Sequence, residues 1–513
     1  MGGPPARLAH ALRFRGGGSD DRDARARTAW AVLAAWVLLA APLSAPAQIA
    51  SNPPELEQAI ATTKAAFPKL VQFGPPDDTE HFLNAVDDAE LEKLKARLTS
   101  GPFDDKVEAA VYVMLEGFSR MQGPAQTFGR NLTSEIAGLA ATSHDKATLE
   151  GVGRVLMRFL EDQSHPFSIL SQGLLGEKIR CGAASEGDDA LVASITKAVN
   201  PDKEYDFGST DGNTADRFGI HPQADLFSVA ARGPRVAVAG YFGSVLVSQN
   251  GGDSWDAPNT GTDEPFFAVI FGPGDELWAA GRAGALVHSK DGGRSWLRRP
   301  TPFARHIFGL YTDAPDTVLA VGDYGLQLRT ENGGDRWLCI PRVQDVILGR
   351  IAPVDSDGVV VGEFGTIERL PKGIPPGKRG MLRGVPEDTY VYDAWFDETG
   401  KVGLAVGLAG TILRSDDGGA TWNKVKTEFT QDMFGVGGSG SHAVVAGEGG
   451  LLALSTDGGQ TFTRADSPPL PIPLYDVDFG DADHAYAVGP RGLVLRSTDG
   501  GAHFKVVHGG SGS

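Results

Sequence analysis

The fold is decided by a short pattern that residues 407–422 show most completely, reading GLAGTILRSDDGGATW. It combines a Gly-x-x-Gly turn, an apolar run and a Ser-x-Asp-x-Gly-x-x-Trp turn. The glycine pair begins at Gly240, Gly281, Gly322, Gly362, Gly407, Gly447 and Gly489, so the copies are 41, 41, 40, 45, 40 and 42 residues apart. A period near 40 with short β-runs and glycine turns predicts a β-propeller with one blade per repeat.

The local chemistry of each repeat favours strands over helices. An apolar run that predicts the first strand of a blade precedes each glycine pair, as at residues 226–229 and 474–477. The run after the pair is apolar at successive positions, which is typical of a strand buried between stacked blades. We predict seven blades that begin near Leu226, Phe266, Ile307, Ile347, Tyr390, Met433 and Leu474.

The turn after the third strand resembles the Asp-box and occurs in six repeats. Asp or Asn can accept backbone N–H groups of the turn, Gly supplies its left-handed residue, and the aromatic side chain can pack between strands. We therefore interpret the boxes as folding turns and expect Trp296 and Trp422 to be buried. The residues to which we assign this structural role are Asp291, Trp296, Asp417, Trp422, Asp457 and Asp499.

The whole repeat resembles that of the photosystem II stability/assembly factor family of cyanobacteria and chloroplasts. The resemblance covers residues 226–507 and is closest over residues 407–422, 447–462 and 489–504. It implies a seven-bladed propeller without catalysis that holds an intermediate in the assembly of a membrane protein. Relatives also occur in bacteria that lack photosystems, so the resemblance implies a scaffold more firmly than it implies the client.

Sialidases and related glycosidases also carry Asp-boxes and provide the enzymatic alternative. Their chemistry needs an arginine triad, a tyrosine nucleophile and an acidic partner, usually with Arg-Ile-Pro before the first box, and this chain has no Arg-Ile-Pro. It also lacks the His-Glu-x-x-His, Cys-x-x-Cys and Gly-x-Ser-x-Gly patterns. We predict no catalytic residue, no metal and no cofactor. A carbohydrate-binding propeller is a further alternative, which exposed aromatic pairs around a pocket would favour.

The chain opens with a targeting segment. Three arginines precede the apolar run 29–41, and the small-residue motif Ala-Pro-Ala follows at 45–47. This pattern predicts a secretory signal peptide over residues 1–47 with a long basic leader, and hence an exported, periplasmic protein. An uncleaved membrane anchor over residues 28–50 is the alternative.

Residues 50–205 have apolar residues at helical spacing and predict five or six helices, with helix starts at Asp104-Asp105 and at Ser143-x-Asp145. The predicted fold class is thus an all-β seven-bladed β-propeller (225–507) preceded by a small all-α domain and a signal peptide. A linker (206–224) and a disordered tail (508–513) complete the prediction. Cys181 and Cys339 lie in different domains, as free buried thiols or as a domain-linking disulfide.

A formal net charge of −18 argues against a nucleic-acid partner. Within this acidic chain, one position of the repeat is basic in five copies: His288, Arg329, Arg369, Arg414 and Arg496. We predict that these side chains form an arginine arc that binds an acidic segment of a protein client. The resemblance supports this, because the family is thought to use an arginine patch. The alternative is that each side chain pairs with a nearby Asp-box carboxylate or covers its own turn.

A second basic stretch stands where the fourth repeat lacks an Asp-box. It contains Lys378 and Arg379, and we interpret it either as a tolerated loop insertion or as a further client contact. The sequence as a whole predicts an exported, non-enzymatic protein whose propeller docks an envelope membrane protein.

Overall fold

The computed structural model describes residues 54–70, 87–119, 124–161, 169–198, 224–299, 301–354, 357–370 and 389–509. Outside these ranges lie the predicted signal peptide, nearly all of the predicted linker, most of the predicted tail, and Lys378 and Arg379. His508, which the prediction placed in the disordered tail, ends the last strand instead. The helices and the strands both belong to one compact unit, Pro53–Ser513.

Seven helices precede the strands in the described part of the chain, so the expected five or six are too few. They are α1 (Pro54–Ala66), α2 (Asp88–Ser100), α3 (Asp105–Ser119), α4 (Pro124–Ala141), α5 (Lys146–Glu161), α6 (Ile169–Ser185) and α7 (Asp189–Ala198). Asp104 and Asp145 cap α3 and α5 as predicted, because their carboxylates accept the backbone N–H groups of Val107 at 3.1 Å and Thr148 at 3.0 Å. Within the described ranges, no helix has both the length and the apolar character that a membrane span requires.

Seven antiparallel sheets follow, each with its strands in chain order. They are blade 1 (β1 Leu226–Arg232, β2 Arg235–Gly240, β3 Val245–Ser248), blade 2 (β4 Phe266–Phe271, β5 Leu277–Gly281, β6 Leu286–Ser289, β7 Leu297–Arg298), blade 3 (β8 Ile307–Tyr311, β9 Val318–Gly322, β10 Gln327–Thr330, β11 Leu338–Cys339), blade 4 (β12 Leu348–Val354, β13 Asp357–Gly362, β14 Ile367–Leu370), blade 5 (β15 Val391–Phe396, β16 Gly403–Gly407, β17 Thr411–Ser415, β18 Asn423–Lys424), blade 6 (β19 Met433–Ser439, β20 His442–Gly447, β21 Leu451–Ser455, β22 Thr463–Arg464) and blade 7 (β23 Asp476–Phe479, β24 Ala485–Val488, β25 Val494–Ser497, β26 Phe504–His508).

The blades form a closed ring, which confirms the seven-bladed propeller. The first strand of each blade lies beside the first strand of the next, and β23 lies beside β1. Hydrogen bonds join the last blade to the first: the backbone N–H of Leu226 donates to the carbonyl oxygen of Gly489 at 3.1 Å, and that of Val229 to Asp476 Oδ2 at 2.9 Å. Because the strands of each sheet are consecutive in the chain, every blade is one contiguous segment.

The Gly-x-x-Gly pattern reflects the geometry of the turn between the second and third strands. A Cβ atom at Gly240 would lie 2.0 Å from the carbonyl oxygen of Asp225, so only glycine fits there. The third residue of each turn is left-handed, with φ between 50° and 66° at Phe242, Ala283, Tyr324, Phe364, Ala409, Gly449 and Arg491.

The Asp-box turns are closed by their own side chains. Asp291 Oδ1 accepts the backbone N–H of Ser295 at 2.9 Å, and Ser295 Oγ donates to Asp291 Oδ2 at 2.6 Å. These hydrogen bonds from Ser295 lower the pKa of Asp291 to about 2. Trp296 and Trp422 are buried, with 8% and 3% of their surface exposed, which confirms the prediction. The same turn is built around Asp417, Asp457 and Asp499.

A disulfide joins α6 to blade 3 and settles the state of the two cysteines. Cys181 and Cys339 are bonded, with their Cα atoms 5.4 Å apart. Beside the bond, Lys178 Nζ lies 2.5 Å from Asp345 Oδ1, and the guanidinium of Arg305 pairs with Glu177. The helices are therefore fastened to the propeller by a covalent bond and by ion pairs.

Candidate functional site

The predicted arginines lie on the third strands of their blades, and three of them approach the neighbouring blade. Arg414 Nε donates to the carbonyl oxygen of Gly458 at 2.7 Å, and Arg414 Nη1 lies 2.6 Å from Asp416 Oδ2. Arg496 Nη1 donates to the carbonyl oxygen of Gly251 at 2.7 Å. Gly458 and Gly251 each belong to the Asp-box of the next blade. These two arginines therefore link adjacent blades, and client binding by them stays a prediction.

The other members of the predicted arc differ in their surroundings. Arg329 Nε donates to Glu331 Oε1 at 2.9 Å, and Arg369 is half-buried on β14 with its guanidinium close to Gly418 in the Asp-box of blade 5. His288 is 1% exposed and stacks on Trp278, with 3.6 Å between the ring centroids. Burial lowers the pKa of His288 to about 4, so its ring is uncharged at neutral pH. A client cannot reach His288, which therefore does not belong to a basic surface.

A buried ion cluster that the sequence analysis did not find lies where the first strands converge. Arg350 Nε donates to Asp393 Oδ1 at 3.1 Å, and Arg350 Nη2 lies 2.5 Å from Asp476 Oδ2. Arg350 Nη1 also donates to Ser228 Oγ at 3.3 Å. One guanidinium on blade 4 thus contacts blades 5, 7 and 1. Burial lowers the pKa of Arg350, but the two carboxylates outweigh burial and raise it.

The signal for this cluster is present in the repeat. The equivalent position of each first strand holds Ser228, Ala268, Gly309, Arg350, Asp393, Gly435 and Asp476. Charges of opposite sign at one repeat position of a closed ring predict a contact across its centre.

A ring of aromatic side chains surrounds the start of the first strands. Its members are Phe227, Phe267, Phe308, Tyr392, Phe434 and Tyr475, with Gly349 at the equivalent position of blade 4. The pairing register of the first strand shifts around this residue in blades 1 to 6. Neighbouring rings are in contact, with centroids 5.8 Å apart for Phe227 and Phe267 and 5.5 Å apart for Tyr392 and Phe434. We call these six side chains the aromatic mouth.

Two exposed phenylalanines extend from the turns beside the aromatic mouth. Phe242 is 51% exposed and Phe364 is 64% exposed, although both have left-handed backbones, with φ of 59° and 53°. Tyr241 connects Phe242 to the mouth, because its ring centroid lies 4.8 Å from that of Phe227. A bulky residue in this conformation is unfavourable, so the protein bears a cost at positions where glycine would fit better. We call Phe242, Phe364 and the mouth the aromatic face.

The same turn position in blade 3 is already used as a contact. Tyr324 lies under the guanidinium of Arg305, 4.8 Å from its ring centroid. Tyr324 also lines a cavity of about 50 Å³ together with Glu177 and Lys178 of α6. An aromatic side chain on this turn thus contributes to the contact with the helical region.

The propeller is similar to a known protein family and to several solved structures. The model of the family described as photosynthesis system II assembly factor YCF48 matches residues 235–373 and 382–471. Two solved structures of YCF48 are similar at partial coverage: one described as bound to a D1 peptide (19% identity, TM-score 0.46, 54% of this chain and 94% of that chain), and one from Cyanidioschyzon merolae (18%, 0.44, 54% and 97%). A GH74 xyloglucanase from Xanthomonas campestris is also similar (12%, 0.48, 57% and 55%). No curated protein sequence matches significantly. The family match confirms the resemblance to the photosystem II assembly factors, which the repeat predicts, over residues 235–373 and 382–471 of the propeller.

Proposed function

We propose that this chain is an exported, non-enzymatic scaffold whose aromatic face docks a segment of an envelope membrane protein during assembly. The family match over the propeller supports a holding role, since the matched family is one of assembly factors. The observation that carries the proposal is the exposure of Phe242 and Phe364 on turns where glycine would cost less.

An exposed phenylalanine on a left-handed turn is unfavourable for folding and becomes favourable only when a partner covers it. A phenylalanine in the left-handed region costs roughly 1 to 2 kcal/mol relative to glycine. An exposed ring recovers little of that cost through burial in its own fold. A partner that covers the ring would recover it, because apolar area removed from water contributes about 25 cal/mol per Å². Aromatic side chains of this kind are enriched among the residues that dominate protein interfaces.

The two buried carboxylates near the centre of the ring are not placed for glycosidase chemistry. A glycosidase needs two carboxyl groups that face its substrate, one to protonate the leaving oxygen and one to attack or to activate water. Asp393 and Asp476 are both buried, and both are bound to Arg350. These two carboxylates are therefore committed to the fold.

The disulfide supports the proposed location. Disulfides persist in oxidising compartments such as the bacterial periplasm and are rare in reducing ones. The bond between Cys181 and Cys339 therefore agrees with export, which the signal-peptide pattern at residues 1–47 predicts independently.

The test uses substitutions that remove the rings without harming the turns. The double variant Phe242→Gly with Phe364→Gly should lose the client in a pull-down from native membranes, while its melting temperature stays level or rises, because glycine is preferred at these φ values. Ala409→Gly changes the same turn position of blade 5 and is the matched control, which should keep the client. Full capture of the client by the double variant would disprove docking at the aromatic face.

A photo-reactive phenylalanine analogue at position 242 or 364 identifies the client directly. We expect both positions to crosslink to one membrane protein, and position 409 to crosslink to it much less. Crosslinks from 409 alone would place the contact elsewhere on the ring.

The exposed phenylalanines also favour a second candidate, a carbohydrate-binding propeller, because aromatic rings stack on sugars as well as on side chains. Titration of the intact protein with xyloglucan oligosaccharides distinguishes the two. Saturable binding that Phe242→Gly abolishes would support the carbohydrate candidate, and no heat of binding would leave the protein client as the proposal.

A further inference from the structure

The third-strand position that holds an arginine in blades 3, 4, 5 and 7 holds a buried histidine in blade 2. In blades 5 and 7 an arginine of the third strand donates to a carbonyl oxygen of the next blade, but blade 2 has His288 at this position. His288 is 1% exposed, and neither of its ring nitrogens has a hydrogen-bond partner among the described residues. A buried polar group without a partner is costly and requires an explanation.

Two carboxylates face the unpartnered ring. Glu276 Oε1 lies 3.9 Å from His288 Nε2, and Glu276 is itself buried. Asp316, from the loop between β8 and β9, supplies the second carboxylate, and its backbone N–H donates to both oxygens of Glu276 at 3.3 Å. One ligand atom from each of Glu276, His288 and Asp316 lies within 4.8 Å of the other two.

We propose that Glu276, His288 and Asp316 form a site for a divalent transition-metal ion, with Zn²⁺ as the preferred ion. The bound ion joins blade 2 to blade 3. One imidazole nitrogen and two carboxylate oxygens are ligands that Zn²⁺ takes at about 2.0 to 2.2 Å. A tetrahedral ion with these bond lengths holds its ligand atoms roughly 3.3 Å apart. Small side-chain rotations thus complete the site, and water takes the fourth position.

One competitor occupies part of the site. Lys290 Nζ lies 2.6 Å from Asp316 Oδ1, and the Lys290 side chain is 54% exposed. Its ammonium can therefore turn into solvent when a metal ion binds. Arg299 also lies near His288 but is paired with Asp335, so the two carboxylates against one exposed ammonium leave a local negative charge that favours a dication. Because Lys290 competes with the metal ion for Asp316, replacing Lys290 should increase the affinity for the metal ion.

The experiment is a calorimetric titration of the full chain with ZnSO₄ at pH 7.5, on protein prepared without a polyhistidine tag and stripped with EDTA. We expect one equivalent of Zn²⁺ at the site. His288→Gln and Asp316→Asn should each weaken binding at least about 10-fold, and Lys290→Met should strengthen it. His503→Gln is the matched control. It removes a histidine that lies 2.7 Å from a carboxylate oxygen of Asp499, on an exposed box turn outside the site, and it should leave binding unchanged.

Thermal melts of every variant accompany the titrations, and a Zn²⁺-dependent rise in the melting temperature of the unmodified protein should disappear in Asp316→Asn. Absence of Zn²⁺ binding by the unmodified protein would overturn the proposal. So would binding that survives both ligand substitutions, or binding that only His503→Gln removes. His288→Gln alters a buried side chain and could prevent folding. If it does, the affinity of the Lys290→Met variant for Zn²⁺ tests the site instead. Lys290 is exposed, and unchanged or weaker binding after its replacement would contradict the site.

Discussion

Replacing Arg350 with methionine should destabilise the propeller by about 3 to 5 kcal/mol at pH 8, because it leaves two buried carboxylates without a cation. Arg350 contacts Asp393 and Asp476 at 3.1 Å and 2.5 Å, and both carboxylates are buried. Methionine keeps most of the side-chain volume, so the loss reports charge rather than a cavity. The assay is urea denaturation followed by tryptophan fluorescence, with the parent protein and the Arg350→Met variant measured side by side.

The deficit should shrink on acidification. Burial raises the pKa of Asp393 to about 6 even beside Arg350, and removal of the arginine raises it further. A carboxyl group whose pKa is higher in the folded state binds more protons when folded, so its unfavourable contribution is complete above the folded pKa and is relieved as the pH falls toward the ordinary value near 3.8. Between pH 8 and pH 5 we expect the difference between variant and parent to fall by roughly 1 to 2 kcal/mol.

Two controls sharpen this experiment. Asp393→Asn, added to the Arg350→Met variant, removes one unpaired charge and should restore part of the lost free energy of unfolding at pH 8. Arg350→Lys keeps the charge but cannot make three separate contacts, so it should fall between the parent and the methionine variant. A loss below about 1 kcal/mol at pH 8, or a loss that is the same at both pH values, would refute the account of the cluster.

The remaining predictions concern the box, the disulfide and the arc. Trp422→Ala should cost about 3 to 5 kcal/mol of unfolding free energy in a denaturant melt, and a loss within experimental error would show that the box aromatic does not hold the blades. Replacing Cys181 and Cys339 with serine opens a loop of 158 residues and should cost about 5 kcal/mol in the chain-entropy model, and the melts of this variant should be equal with and without reductant. Arg414→Glu should lower the melting temperature because it breaks a contact between blades, whereas Arg329→Glu should change stability by less than about 1 kcal/mol and is therefore the clean test of client capture by the arc.

The repeat made the architecture predictable. Gly240 is required because the backbone of Asp225 comes too close for a Cβ atom, and Ser295 closes the Asp-box turn. Both requirements are local, so the same pattern recurs in the sequence of other blades. Blade number follows from counting such patterns. The burial of Trp296 follows from the box in the same way, because the aromatic residue always occupies one place relative to the strands.

The sites depend instead on which side chains meet across blades. The sequence correctly places the arginines of the predicted arc on the third strands. It does not show that Arg414 contacts the Asp-box of the neighbouring blade, because contacts between blades depend on how the blades pack. Glu276, His288 and Asp316 lie on three different segments of the chain. Among the described residues they come together in one pair of blades, so no repeated sequence motif indicates the site. The pairing of Cys181 with Cys339 likewise joins two domains over 158 residues, a distance for which spacing gives no rule.

The contiguity of the blades has a consequence for the history and the engineering of the ring. Among the strands that the structure describes, none joins a sheet from the far end of the chain. The two ends of the propeller meet at Gly492, whose N–H donates to the carbonyl oxygen of Ala224 at 2.7 Å and whose carbonyl oxygen lies 2.8 Å from His508 Nδ1. Duplication or loss of one repeat therefore changes the ring by a whole blade without rethreading any sheet. For the same reason, circular permutants of the propeller with new termini in any loop between blades should keep every strand beside its partners.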